Sequence, residues 1–133
     1  GFAIGWPQNL VASTKRICAA LRKATGKSLS VIISDSCCRV SRLGVTAFAL
    51  TCAGIEPISS KIGEKDLFGK RLRVTREAVA DQLAVAANAL MGNAAECRPA
   101  AIVRGYTYTP SKFCGWVPGI APKDDLFSPL LHS

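Results

Sequence analysis

Leu29-Ser30-Val31-Ile32-Ile33-Ser34-Asp35-Ser36-Cys37-Cys38-Arg39 is the stretch on which the architecture turns. Leu29 to Ser34 is a β-branched apolar run of strand length, and the polar residues after it read as a turn. The segment therefore predicts a buried strand with Asp35 at its C-terminal mouth. Val45 to Cys52 has the composition of a second strand, which Ala53-Gly54-Ile55-Glu56-Pro57 closes with a turn.

Helical patterns lie on both sides of this pair. Between Pro7 and Lys27, Ile17, Cys18, Leu21 and Ala24 recur at helical spacing, with Ser13 as the expected N-cap and Gly26 as the stop. Thr75 is expected to cap a second helix over Arg76–Met91. There Val79, Leu83, Ala86 and Leu90 form one face and Gly92 ends the run. Ser59 to Arg71 has no periodicity and reads as a long loop, within which Lys65 and Asp66 form a surface ion pair. Pro99 to Arg104 predicts a third strand, and the chain after Gly105 reads as irregular.

Composition narrows the class. The 133 residues, 49% hydrophobic and 20% charged, fit one globular domain over residues 1–133 and exclude a disordered or fibrous chain. No window approaches the length of apolar run that spans a bilayer, so no membrane partner is expected. The N-terminus lacks the basic flank of a signal peptide, which predicts a cytoplasmic protein, and the absent initiator Met predicts a longer reading frame. Seventeen Lys and Arg against nine Asp and Glu give a net charge of +8, suited to phosphorylated ligands. Thirteen of those cations lie between Lys15 and Arg76 without an interleaved aromatic stripe, so nucleic acid is not the expected partner. Cys18, Cys37, Cys38, Cys52, Cys97 and Cys114 include no C-x-x-C pair and read mostly as buried, unpaired thiols.

Asp35-Ser36 places a carboxylate beside a hydroxyl, two hard oxygen donors of the kind that hold magnesium or manganese. The same residues also fit a plainer role, in which Asp35 caps a turn and Ser36 satisfies a backbone group. Arg39 and Arg42 are either a grip for phosphate or carboxylate or simply solvated. Phosphate-binding glycine loops and the nucleophile-elbow motif are absent, and His132 is the only histidine. Imidazole-based triads are therefore unavailable, and any catalysis rests on metal, carboxylate and positioning.

Beyond these single features, an ordered series of motifs resembles the coenzyme F420-0:γ-glutamyl ligase family. It runs through Val31-Ile-Ile-Ser-Asp35-Ser36, Arg39, Arg42, Gly44, Ala53-Gly54-Ile55, Gly63 and Lys65-Asp66-Leu67-Phe68-Gly69. It continues with Leu72-Arg73-Val74-Thr75, Ala78-Val79-Ala80-Asp81, Ala86-Ala87, Met91-Gly92, Pro99, Val103-Arg104-Gly105 and Asp125-Leu126-Phe127. Pro7 through Ser13 and Arg16-Ile17 resemble the family's lead-in. The resemblance covers nearly the whole chain, and Lys65 to Asp81 is its most specific block.

The resemblance implies an α+β fold with a mixed or antiparallel sheet and two main helices, incomplete at its N-terminus. It further implies a homodimeric ligase that uses GTP and Mg2+ or Mn2+ to add L-glutamate to F420-0, through an acyl phosphate and attack by the glutamate amine. A folate-type acceptor and a non-catalytic module that binds a phosphate ligand are the alternatives. Asp35 and Ser36 match the family's metal contacts. Asn88, Ala89, Leu90, Met91, Gly92, Asn93, Ala94 and Ala95 match its nucleotide segment, and Asn93 stands where relatives contact a second metal. The family's N-terminal portion, with its GTP-holding loops and G-I-D-x-S-N segment, is absent from this sequence. Cys38 and Thr51 stand where Gly is usual, Val40 and Ser41 depart near the metal turn, and Gln82 replaces an acid.

Overall fold

The structure, a computed structural model, describes residues 5–128. Helix α1 (Leu10–Thr25) leads into strands β1 (Val31–Cys38) and β2 (Val45–Ile55). Two-residue strands β3 (Ser59–Ser60) and β4 (Arg76–Glu77) follow, then helix α2 (Val79–Met91), strand β5 (Pro110–Trp116) and one 3-10 turn at Pro122–Asp124. The sheet is antiparallel in the order β1-β2-β5, and β3 and β4 form a separate ribbon. The class is α+β, as the resemblance implies.

The central strand β2 is buried from Ala49 to Ile55 because a helix covers each face of the sheet. Simple alternation does not explain which residues face which helix. Ile33 pairs with Thr51 but Ser34 pairs with Ala49, so Leu50 is an extra residue, a bulge, in β2. The bulge reverses the parity of the strand. Ala47 and Ala49 before it and Cys52 after it can thus share the α2 face. There Ala47 and Ala49 meet Ala80 and Ala84, small side chains that let the helix approach closely, while Cys52 and Ile55 pack on Val79. Asp81, in the first turn of α2, accepts the Ala49 N–H at 2.8 Å and ties the helix to the bulged strand.

On the opposite face, α1 buries Leu10, Thr14 and Cys18 at four-residue spacing. The expected seam through Ile17 and Leu21 is displaced, and both side chains are exposed. Ser13 is not the N-cap. The helix begins at Leu10 behind Asn9, which adopts the left-handed conformation at φ 55°, and the Ser13 N–H already bonds the Asn9 carbonyl at 3.0 Å. Gly26 ends the helix as expected, in the left-handed conformation at φ 66°.

Thr14 and Thr51 are fully buried and meet at 2.6 Å. Thr14 Oγ1 donates its hydrogen to the Leu10 carbonyl at 2.9 Å, so Thr51 is the donor between the two hydroxyls. The Thr51 that departs from the family pattern is thus satisfied by Thr14. Thr14→Val strands the Thr51 donor in an apolar seam and should cost about 1–3 kcal/mol, whereas Thr51→Val leaves Thr14 bonded to Leu10 and costs less. Urea unfolding of both variants and of the double substitution checks this; equal single costs would contradict the donor assignment.

Several expected boundaries move. Thr75 does not cap α2, because Arg76 and Glu77 pair with Ser60 and Ser59 and the Lys61 N–H bonds the Thr75 carbonyl, drawing the segment out of the helix. The helix starts at Val79 instead, and the Ala80 N–H is satisfied by the Pro57 carbonyl. Leu83 packs toward the core, but Ala86 and Leu90 are exposed because the buried face runs through Val79, Ala80 and Ala84. Ser59 to Arg71 is not one featureless loop: β3 opens it and a bridge joins Lys65 to Arg71. Within it Asp66 caps its own turn, accepting the Phe68 and Lys70 amides at 2.9 and 2.8 Å, in place of the expected ion pair with Lys65. The ion pairs among the described residues join Lys61 to Glu64 and Glu77. Pro99 to Arg104 is exposed except at the half-buried Ala101 and is not a strand; the third strand is Pro110–Trp116.

The thiols divide by environment. Cys18 and Cys52 are buried, Cys37 and Cys114 half-buried, and Cys38 and Cys97 exposed, so the expectation of burial fails for the last two. Burial, followed by the neighbouring Cys114 and Glu56, pushes the Cys52 thiol up to about 11. A mild alkylating reagent at pH 8 should label Cys38 and Cys97 in the native protein and reach Cys52 only on unfolding. Peptide mapping reads the order, and native labelling of Cys52 at the rate of Cys38 would contradict it. His132 lies outside the described residues.

Candidate functional site

Asp35 lies within β1, opposite Phe48 in register, and not in a turn beyond the strand. The pairing with β2 continues to Cys38–Val45, which makes the hairpin connection Arg39–Gly44. Its left-handed positions are Ser41 at φ 56° and Gly44 at φ 96°. Cys38 therefore carries no left-handed strain.

The Asp35 carboxylate is exposed and held at both oxygens. The Trp6 indole Nε1–H donates to Oδ2 at 2.7 Å, and the Ser36 backbone N–H donates to Oδ1 at 2.7 Å. Trp6 comes from the segment before α1. Its ring lies 6.5 Å from Phe48 and 5.7 Å from Trp116 between centroids, so β2 and β5 supply its seat. The Trp6 N–H and then the Ser36 amide hold the carboxyl below its usual range, against a small opposing effect of burial. The group is ionised at neutral pH, and each oxygen retains acceptor capacity.

Such a carboxylate suits a magnesium or manganese ion that keeps waters and takes further oxygens from a substrate phosphate. Among the described residues no group of three or more His, Cys, Asp or Glu is placed to hold a metal. Asp35 fits as one ligand, not as part of a preformed protein cage. The Ser36 side chain, the next along the strand, points to the other face of the sheet, so only its backbone amide joins Asp35. Arg39 and Arg42 both sit in the exposed hairpin connection, where the Arg42 N–H bonds the Arg39 carbonyl at 3.2 Å.

The segment Asn88–Ala95 forms the end of α2 and the turn after it. Gly92 ends the helix at φ 79°, ψ −177°, a region open only to glycine. The Glu96 carboxylate lies where a side chain on Gly92 would stand, and it accepts the Ala94 N–H at 2.7 Å. Asn88 Nδ2 donates to the Gly92 carbonyl and to Asn93 Oδ1, both at 3.1 Å. The Asn93 oxygen proposed for a second cation is therefore already engaged. A shallow groove of about 450 Å³ opens beside this turn, lined by Met91, Gly92, Ala94, Cys97, Arg98 and Pro99. Because α2 packs on the face opposite Trp6 and Phe48, the described residues do not bring this segment and Asp35 into one cavity.

Trp6 and Glu96 escaped the sequence reading, and Asp81 stood in the motif series without a role. Trp6 lies 29 residues from Asp35, and nothing in periodicity or spacing links them. Asp81 offered a local signal, an acid in the first turn of a helix, but its partner Ala49 is set by the bulge.

Fold and site together define an α+β chain that presents one ionised carboxylate on a sheet face beside clustered aromatic rings. The family described as F420-0:Gamma-glutamyl ligase matches residues 1–105, and the chain belongs to that family. Among its relatives, the coenzyme F420:L-glutamate ligase of Methanosarcina mazei is 46% identical over 108 residues, 81% of this chain and 42% of that protein. The ligase of the same name from Methanothermobacter thermautotrophicus is 43% identical over 129 residues, 96% of this chain and 51% of that protein. That of Methanocaldococcus jannaschii is 44% identical over 99 residues, 74% of this chain and 40% of that protein. The chain thus spans about two-fifths to one-half of the length of these relatives.

Proposed function

We propose that the protein is a γ-glutamyl ligase of coenzyme F420 biosynthesis that uses GTP and a divalent cation to join L-glutamate to F420-0. The observation that carries this reading is the exposed, ionised and pre-oriented Asp35 carboxylate in a chain of this family. A cation there would neutralise developing charge on the transferring phosphoryl group. In the proposed reaction a carboxylate of F420-0 attacks the γ-phosphorus of GTP, giving an acyl phosphate and GDP. The glutamate amine then attacks the acyl carbon, phosphate leaves, and the amine proton passes to solvent or phosphate. The residues of this chain contribute by placing charge: Asp35 holds the cation, and the exposed Arg39 and Arg42 offer contacts for phosphate or carboxylate.

The turn at 88–95 is the proposed nucleotide contact; the Glu96 carboxylate fills the bare face of Gly92, so a phosphate or base reaches the backbone there only when Glu96 swings aside. Since the Asn93 oxygen is bonded to Asn88, a second cation there requires that amide pair to open. A homodimer fits the exposed apolar side chains Leu43, Leu67, Phe68, Val74 and Leu126, each more than four-fifths accessible. The separation of Asp35 from the 88–95 turn favours a second reading, a phosphate-ligand-binding module without turnover.

Calorimetric titration with a non-hydrolysable GTP analogue, with and without Mn2+, tests the nucleotide site. The ligase reading predicts micromolar binding that requires Mn2+. Binding that ignores Mn2+ favours the module, and no heat from the folded chain contradicts both.

A further inference from the structure

We infer that Trp6 is a positioning residue for Asp35, its indole N–H fixing the carboxylate in the one orientation from which it can bind a divalent cation. The inference rests on the reading of Asp35 as a cation ligand and adds to it a residue that none of the motifs quoted above includes. An aspartate exposed on an edge strand ordinarily samples several rotamers, and ordering it at the moment of binding costs free energy. Here the order is built in. Trp6 Nε1 lies 2.7 Å from Oδ2 while the Ser36 amide lies 2.7 Å from Oδ1, so donors from two different segments grip the two oxygens. The indole is itself held, tilted 58° against Phe48 on β2 and 43° against Trp116 on β5. The orientation of Asp35 on the edge strand is thereby referred to the other two strands of the sheet.

The geometry also separates Trp6 from a purely packing role. Trp6 is 54% exposed, so it covers little core, and among the described residues its one directional contact is with the carboxylate. Trp116 shares the aromatic stack but gives Asp35 no hydrogen bond among the described residues. Partners that orient a ligand from outside the coordination shell are commonly worth ten- to a hundredfold in metal affinity.

The test measures Mn2+ affinity, from the electron paramagnetic resonance signal of free Mn2+ in the presence of a non-hydrolysable GTP analogue. The proteins are wild type, Trp6→Phe, Trp116→Phe and Asp35→Asn, each shown to be folded by circular dichroism. Trp6→Phe should weaken Mn2+ about tenfold, Trp116→Phe, which keeps a ring under the indole and leaves its N–H in place, should weaken it several-fold less, and Asp35→Asn should abolish it. If Trp6→Phe does not fold, benzothienylalanine at position 6 keeps the shape of the ring without the N–H and carries the same prediction. Full affinity without the N–H, alongside loss in Asp35→Asn, overturns the role of Trp6 and leaves that of Asp35 standing. Equal weakening by Trp6→Phe and Trp116→Phe also overturns it, because the stack and not the N–H would then matter. Unchanged affinity in Asp35→Asn overturns the ligand reading and the inference with it.

Discussion

Asp35→Ala should reduce Mn2+-dependent GTP turnover by more than about two orders of magnitude, above the range seen for residues that only orient a ligand. The protein should remain folded. Asp35 is exposed, it sits on an edge strand whose backbone pairing with Phe48 does not depend on the side chain, and its contacts are the Trp6 and Ser36 donors. Both donors are accessible enough to turn to water when the carboxylate is gone. Thermal melting together with a phosphate-release assay separates the two effects: a small shift in melting beside a collapse of turnover places Asp35 in the chemistry. Normal turnover in the variant would remove it from the mechanism.

Gly54→Ala should be the most damaging small change to the fold, lowering stability by about 2–4 kcal/mol and the melting temperature by on the order of 10 °C. Gly54 is buried at φ +86°, where an L side chain alone costs roughly 1–2 kcal/mol. An added Cβ would also stand 3.1 Å from Ser30 Oγ and 3.3 Å from the Leu29 carbonyl oxygen, and would displace the Arg22 guanidinium. These neighbours are joined to one another. Arg22 Nε donates to the Leu29 carbonyl at 2.8 Å, and Ser30 Oγ donates to the Gly54 carbonyl at 2.8 Å. The methyl therefore strikes the point where α1, the start of β1 and the end of β2 are fastened together. A melting temperature equal to that of wild type would show that this junction yields freely.

The contrast between Asp35 and Gly54 also shows what the sequence could reveal. Composition and period identified both helices and the β1–β2 pair, because amphipathic spacing and β-branched runs are local properties. The motif series identified the family and matched Asp35, already a candidate from its place beside Ser36 at a strand end, to a metal contact. What the sequence did not reveal depends on distant partners. Gly54 reads as a turn residue but serves as an irregularity inside β2, where the pairing shifts between Ala53 and Ile55 and the strand continues. The bulge at Leu50 leaves no compositional trace, yet it decides that Ala49 and Cys52 face the same helix. Likewise β5 was hidden because Pro110-Ser-Lys-Phe-Cys-Gly-Trp116 lacks a β-branched run and is recruited by the exposed edge of β2. The Pro99–Arg104 segment has strand-like composition but found no edge to pair with among the described residues. At the site, the carboxylate could be read from the sequence while its orientation could not, since Trp6 reaches Asp35 only after α1 folds back over the sheet.

The most direct measurement incubates the folded protein with F420-0, L-glutamate, GTP and Mn2+ and follows the cofactor by mass spectrometry. The expected product is heavier by one glutamyl residue, formed only when all four components are present and accompanied by one GDP and one phosphate. F420-0 recovered unchanged, from folded protein that binds the GTP analogue with Mn2+, would contradict a ligase and leave a phosphate-ligand-binding module of this family.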